Sequence, residues 1–154
     1  MKAVNPAAIQ RRKSAVQKAS PDSSMEIQIY YEDTDCGGVV YHANYLKYFE
    51  RARTHYLEGR GISIRRLLED GTQFMVIHAD VTYRTPARYG DTLALETWVS
   101  ERTKARLTFS HLVRERASRR IVAEGAATLA AVDRKGKLKR LPEPLLRLRP
   151  ELRS

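Results

Sequence analysis

Acidic residues, a glycine pair and a helix start crowd into one run, Tyr31-Glu32-Asp33-Thr34-Asp35-Cys36-Gly37-Gly38-Val39-Val40-Tyr41-His42-Ala43-Asn44-Tyr45. Asp35 can supply a carboxylate as base or nucleophile. Gly37 and Gly38 let the backbone turn tightly and come close to a ligand. The amphipathic stretch beginning at Asn44 offers helix N-terminal amides that lack intrahelical acceptors. A carboxylate beside such amides can attack a carbonyl, directly or through water, and hold the oxygen on which charge builds.

The surrounding residues carry structural readings as well. An aspartate near glycines also closes Asx-turns, a role that suits Asp33 better than Asp35. The His42 side chain can donate a hydrogen bond or simply pack within its loop. Tyr41 and Tyr45 flank that point; Tyr45 reads as core and Tyr41 as a candidate pocket residue. Cys36 next to the acid makes a Cys/His pair conceivable, although neighbouring residues favour the carboxylate. His55, His78 and His111 lack ligand spacing and read as surface or strand-packing residues, and no metal is expected.

These residues need elements to position them. Glu26 to Tyr31 reads as a short strand with Ile27, Ile29 and Tyr31 on one face. From Asn44 to Glu58, Tyr45, Phe49, Ala52 and Tyr56 recur at helical spacing, and Gly59-Arg60-Gly61 stops the helix. A shorter helix follows from Ile64 to Asp70, with Ser63 as its cap and Gly71 as its end. Four strands then succeed one another over Phe74 to Arg84, Thr92 to Glu101, Ala105 to Arg116 and Arg119 to Val132. Leu93, Leu95 and Val99 share one face of their strand, and Leu107, Phe109 and Val113 share one of the next. Ala123, Gly125, Ala126, Ala127, Ala130 and Ala131 are small, which invites a helix to pack closely over the last strand. The class is therefore α+β, an antiparallel five-stranded sheet around one long helix.

A chain of 154 residues with one cysteine suits a single domain without disulfides, in a reducing compartment. The expected organisation is a basic disordered leader over 1–24, a folded domain over 25–141, and a basic tail over 142–154. That tail holds Pro142, Pro144 and Pro150 and reads as an extended surface segment. An organellar transit peptide is the alternative reading of the leader. The formal charge is +10, but it sits at the ends. Residues 1–24 hold five bases against one acid, residues 134–154 eight against two, and residues 25–133 fifteen of each. A neutral middle argues against nucleic-acid binding. The basic ends suit solvation, or weak attraction to an anionic membrane face or an acidic carrier protein.

Read on through Phe49-Glu50-Arg51-Ala52-Arg53 to Tyr56 and Leu57, the opening run resembles the signature of hotdog-fold acyl-CoA thioesterases. Within them it is most similar to the Tol-Pal-associated branch related to 4-hydroxybenzoyl-CoA thioesterase. The similarity covers roughly Met25 to Leu141. It implies a cytoplasmic homo-oligomer, a dimer or a tetramer of paired dimers. Subunits would join edge to edge into a continuous sheet, with acyl-CoA sites at their boundary and no cofactor. It further implies that Asp35, second acid of the Asp-x-Asp pair, is catalytic as general base or nucleophile, with the general-base route slightly preferred. By the same resemblance the backbone amide at His42 holds the oxyanion, and CoA phosphates lie near Arg102, Lys104 and Arg106. Arg84 and Arg88, bracketing Thr85-Pro86-Ala87, form a second candidate phosphate group.

Two rivals share this fold. A dehydratase would need a His-Phe-Pro segment that the chain lacks, and a non-catalytic acyl-carrier or envelope-complex binding module would bind without turnover. Glu50 has a claim because other hotdog enzymes carry their acid on the central helix. It lies eight residues past His42, about 12 Å along the axis at ~1.5 Å per residue, and pairing with Arg51, Arg53 or a neighbouring subunit is the expected role.

Overall fold

The computed structural model describes residues 23–153; the expected leader lies almost entirely outside them. Strand β1 (Ser24–Gln28) is followed by a 3-10 turn at Tyr31–Asp33, helix α1 (Asn44–Glu58) and helix α2 (Ile64–Glu69). Strands β2 (Gln73–Tyr83), β3 (Thr92–Arg102), β4 (Arg106–Glu115) and β5 (Ile121–Val132) come next, then a short helix α3 (Glu143–Leu146). The strands form one antiparallel sheet in the order β1-β3-β4-β5-β2.

The apolar spacing read in the sequence becomes the contact between α1 and the sheet. Tyr45, Tyr48, Phe49, Ala52 and Tyr56 are buried along α1. Near its N-terminus they meet Ile27, Leu93, Leu95, Val113 and Ala123. Near its C-terminus they meet Val99, Leu107, Phe109 and Ala131. Ser63 caps α2 by accepting the Arg66 N–H at 3.2 Å, as its side chain predicts. At the end of α1 the left-handed residue is Gly61, φ 74°, rather than Gly59.

Two expectations change, and the structure adds a bulge that the sequence did not indicate. Ile27 and Ile29 are buried, but Tyr31 is 82 % exposed, because the chain leaves the strand and enters the 3-10 turn. The strand β2 carries a bulge between Val76 and His78. It inverts the alternation, so that Phe74 and Val76 before it, and Val81 and Tyr83 after it, all serve the helix side. Finally, the segment expected to lie extended on the surface is packed into the core. Leu141, Leu145 and Leu148 are buried against Tyr56, Leu57 and Val99. Beyond them the Glu151 N–H donates to the Val99 carbonyl at 2.8 Å, and the Arg153 guanidinium stacks 4.4 Å from the Trp98 ring centroid.

His111, read from the sequence as a surface or strand-packing residue, lies in the core. It is 1 % exposed, stacks on Phe49 with centroids 4.4 Å apart, and bonds through Nδ1 with Thr97 Oγ1 at 2.9 Å. Burial, reinforced by the nearby charge of Arg53, pushes its pKa down from 6.5 to about 3. The folded protein therefore keeps His111 neutral where the unfolded chain already takes a proton. Stability is expected to fall as pH drops from 6.5 toward about 3, by at most ~1.4 kcal/mol per pH unit from this group. His111→Phe should flatten that dependence. Denaturant midpoints at neutral and acid pH check it, and an unchanged slope would assign the acid sensitivity to other residues.

Candidate active site

The loop between the 3-10 turn and α1 holds the two aspartates in different ways. Asp33 is structural on both oxygens: Oδ2 accepts the Tyr30 N–H and Oδ1 accepts the Tyr48 hydroxyl, each at 2.8 Å. Its carbonyl takes the Tyr41 N–H and the Asn44 side-chain amide, both at 2.9 Å. Burial and the bond to Asp33 raise the Tyr48 pKa, so that hydroxyl remains a donor at neutral pH. Asp35 also closes an Asx-turn, a role that the sequence assigned more readily to Asp33: its Oδ1 accepts the Gly37 N–H at 2.8 Å. That bond occupies one oxygen and orients the carboxylate. Oδ2 makes no hydrogen bond with any described residue.

The exposed Asp35 lines an open cleft of about 320 Å³ with Val40, His42, Tyr45, Tyr83 and Arg84 among its walls. The start of α1 has no side-chain cap at Ala43 and no acid in its first turn. The His42 N–H finds no acceptor among the described residues, and the positive end of the helix dipole stands beside it. The carbonyl of His42 is tied down instead, by the Tyr83 hydroxyl at 2.8 Å. Tyr83 also packs edge-on against Tyr45, centroids 5.5 Å apart. Sequence reasoning missed Tyr83; its place at the end of a strand leading into Arg84 was the available signal. Tyr45 is buried as expected, and burial with the neighbouring Tyr83 raises its pKa to about 12.

The remaining candidates divide. Tyr41 is 46 % exposed, with its ring tilted against His42 at 4.5 Å, and does not line the cleft. Arg84 lies in that wall, paired with Glu124, and Arg88 bridges Val39 beside Gly38. The second phosphate candidate thus adjoins Asp35 within the chain. Arg102, Lys104 and Arg106 do not. Arg106 pairs with Ala130 of β5, whereas Tyr83 pairs with Ala123. Those seven residues separate the basic turn from the cleft by roughly 23 Å at ~3.3 Å per residue. Cys36 is exposed, and Glu50 lines a different cavity altogether.

Residues 30–148 match the family described as the thioesterase-like superfamily. The chain belongs to that superfamily. Over 87 residues it is 46 % identical to the acyl-CoA thioesterase YbgC of Haemophilus influenzae, covering 56 % of this chain and 64 % of that protein. Over an equal stretch it is 39 % identical to the acyl-CoA thioester hydrolase YbgC of Escherichia coli, covering 56 % and 65 %. The match thus spans a little under two-thirds of these curated relatives. Among solved structures, the Thermus thermophilus protein TT1821 superposes with a TM-score of 0.76 at 31 % identity, over 82 % of this chain and 99 % of that one. The α+β architecture, one sheet curled around α1, is the hotdog fold. Among the described residues no helix is long and apolar enough to cross a membrane.

Proposed function

We propose that the protein hydrolyses an acyl-CoA thioester to the free acid and CoA, with Asp35 as general base. The observation that carries this reading is a carboxylate with one oxygen fixed and one free, sharing a cleft with an acceptorless amide at a helix N-terminus. Water gives a proton to Asp35 Oδ2 as its oxygen bonds to the thioester carbon. The carbonyl oxygen becomes an oxyanion and accepts the His42 N–H, a contact worth ~3 kcal/mol in the transition state when donors of this kind are removed elsewhere. The intermediate collapses, the C–S bond breaks, and the departing sulfur takes the proton from Asp35. The YbgC relatives named for this activity support the reading.

The site is completed by a second copy of the chain. Strand β2 is an eleven-residue edge with Met75, Val76, Ile77 and Tyr83 about half exposed, an edge that invites another strand. Antiparallel pairing of two β2 edges would bring Arg102, Lys104 and Arg106 of the partner subunit to the same end of the sheet as Asp35. The β3–β4 turn that carries them is well set, with Thr103 Oγ1 accepting the Arg106 N–H at 3.0 Å. A cytoplasmic location accompanies this reading, since CoA esters are the substrates.

Thiol release from a panel of short to long acyl-CoA esters tests the activity; retained binding without release would favour the non-catalytic module. Replacing Arg102 and Lys104 together with alanine is expected to raise KM for CoA esters roughly 10-fold while leaving short pantetheine esters nearly unaffected. Equal effects on both ester types would remove the phosphate role.

A further inference from the structure

A second cavity, of about 280 Å³, lies under the C-terminal half of α1. Leu57, Phe74, Val76, Leu107 and Phe109 make its wall mostly apolar, and Arg53 is the one cation in it. Arg53 is only 8 % exposed, yet it makes no hydrogen bond or ion pair with any described residue. Glu50, one turn earlier and exposed, offsets its charge without reaching it. Burial pulls the guanidinium pKa down from its usual value.

A cation held mostly out of water without a fixed anion is unfavourable, even though the Arg53 guanidinium nitrogens keep some contact with solvent. Nothing in the fold asks for one here, since position 53 lies four residues from Phe49 on the buried side of α1, where an unbranched apolar side chain would fill the same space. An unpaired guanidinium facing a cavity of small-molecule size is instead suited to a planar anion that arrives with a ligand.

Two of its lining residues, Val76 on the β2 edge and Glu50 on α1, are exposed. In a symmetric antiparallel pairing of two β2 strands, Tyr83 of one copy lies against Gln73 of the other. The Asp35 cleft of one copy then borders the Arg53 cavity of its partner. We propose that this cavity receives the far end of the acyl group, and that Arg53 of the partner subunit pairs there with a carboxylate. The preferred substrates are then CoA monothioesters of small acids that carry a second carboxylate. This inference rests on the hydrolase reading and on β2 pairing, and it goes beyond both by assigning a substrate class.

The test compares kcat/KM for glutaryl-CoA and pentanoyl-CoA, which match in chain length and differ in a terminal carboxylate against a methyl. Wild type is expected to favour the carboxylate ester at least 10-fold, Arg53→Met to reverse the preference, and Arg53→Lys to retain part of it. The melting temperature of Arg53→Met should rise, because an unpartnered buried cation is removed. Should Arg53→Met fail to fold, Arg53→Lys alone decides, and a carboxylate preference undiminished from wild type in that folded variant overturns the proposal. Calorimetry with free glutarate reads the cavity without catalysis: binding to Asp35→Asn but not to Arg53→Met supports it even if no ester is turned over. Turnover of both esters without preference, or no glutarate binding, overturns the substrate class while leaving the hydrolase assignment intact.

Discussion

Asp35→Asn is expected to fold, to keep its oligomeric state, and to lose at least ~100-fold in kcat. The asparagine oxygen can still accept the Gly37 N–H that Asp35 Oδ1 takes at 2.8 Å. The backbone bond from the Asp35 N–H to the Val39 carbonyl, 2.9 Å, does not depend on the side chain. The loop should therefore survive, and only the free oxygen changes, from a proton acceptor to an NH2 donor. A hundredfold loss corresponds to about 2.7 kcal/mol of barrier, within what removing a general base or nucleophile costs. Asp33 provides the contrast. Its carboxylate anchors the Tyr30 N–H and the Tyr48 hydroxyl, so Asp33→Ala should lower stability before it touches chemistry. Thiol-release rates and denaturant midpoints on the two variants separate the roles; near-normal turnover in Asp35→Asn would reject the assignment. Single turnover in 18O-water distinguishes the two routes, because label enters the Asp35 carboxylate only if that carboxylate attacks the thioester.

The parts of this site that are local in sequence could be read from it, and those that depend on contacts distant along the chain could not. Asp35, Gly37 and the start of α1 lie within ten residues, and their roles follow from turn chemistry and helix ends. The limits of α1 are those that its apolar spacing indicates. Tyr83, by contrast, reaches His42 across 41 positions, and strand periodicity says nothing of where the tip of a strand will dock. The bulge at Val76 and His78 is similarly silent, since a two-residue alternation cannot show where it will break. At the C-terminus the signal was present but outweighed. Leu141, Leu145 and Leu148 stand at i, i+4 and i+7, yet three prolines argued for an extended chain. Pro142 and Pro144 fall at the very start of α3, where a missing N–H costs nothing. The separation of the Arg102 turn from Asp35 is a matter of strand register, which appears only when β2, β4 and β5 are laid side by side.

Gly125→Val should be the most destabilising single change in the sheet, by ~3 kcal/mol or more. Intrinsic preference points the other way, because valine outranks glycine in strands by up to ~1 kcal/mol. Space decides the sign. A Cβ at Gly125 would fall onto the Asp80 carbonyl oxygen and into the edge of the Phe49 ring. The carbonyl belongs to the neighbouring strand, where Asp80 pairs with Ala126 and Val81 with Gly125, so it cannot yield without parting β2 from β5. Phe49 is fully buried and stacked on His111 at an interplanar angle of 8°, so it cannot swing aside without lifting α1. Either relaxation reaches the Asp35 cleft, since β2 carries Tyr83 and α1 begins beside His42. The variant is therefore expected to lower the denaturant midpoint and, in the fraction that folds, to reduce turnover. With domain stabilities of only ~5–15 kcal/mol, that cost is a large share of the total. A midpoint equal to or above wild type would mean that helix and sheet are not in contact at this strand, and the close packing of α1 on β5 would have to be abandoned.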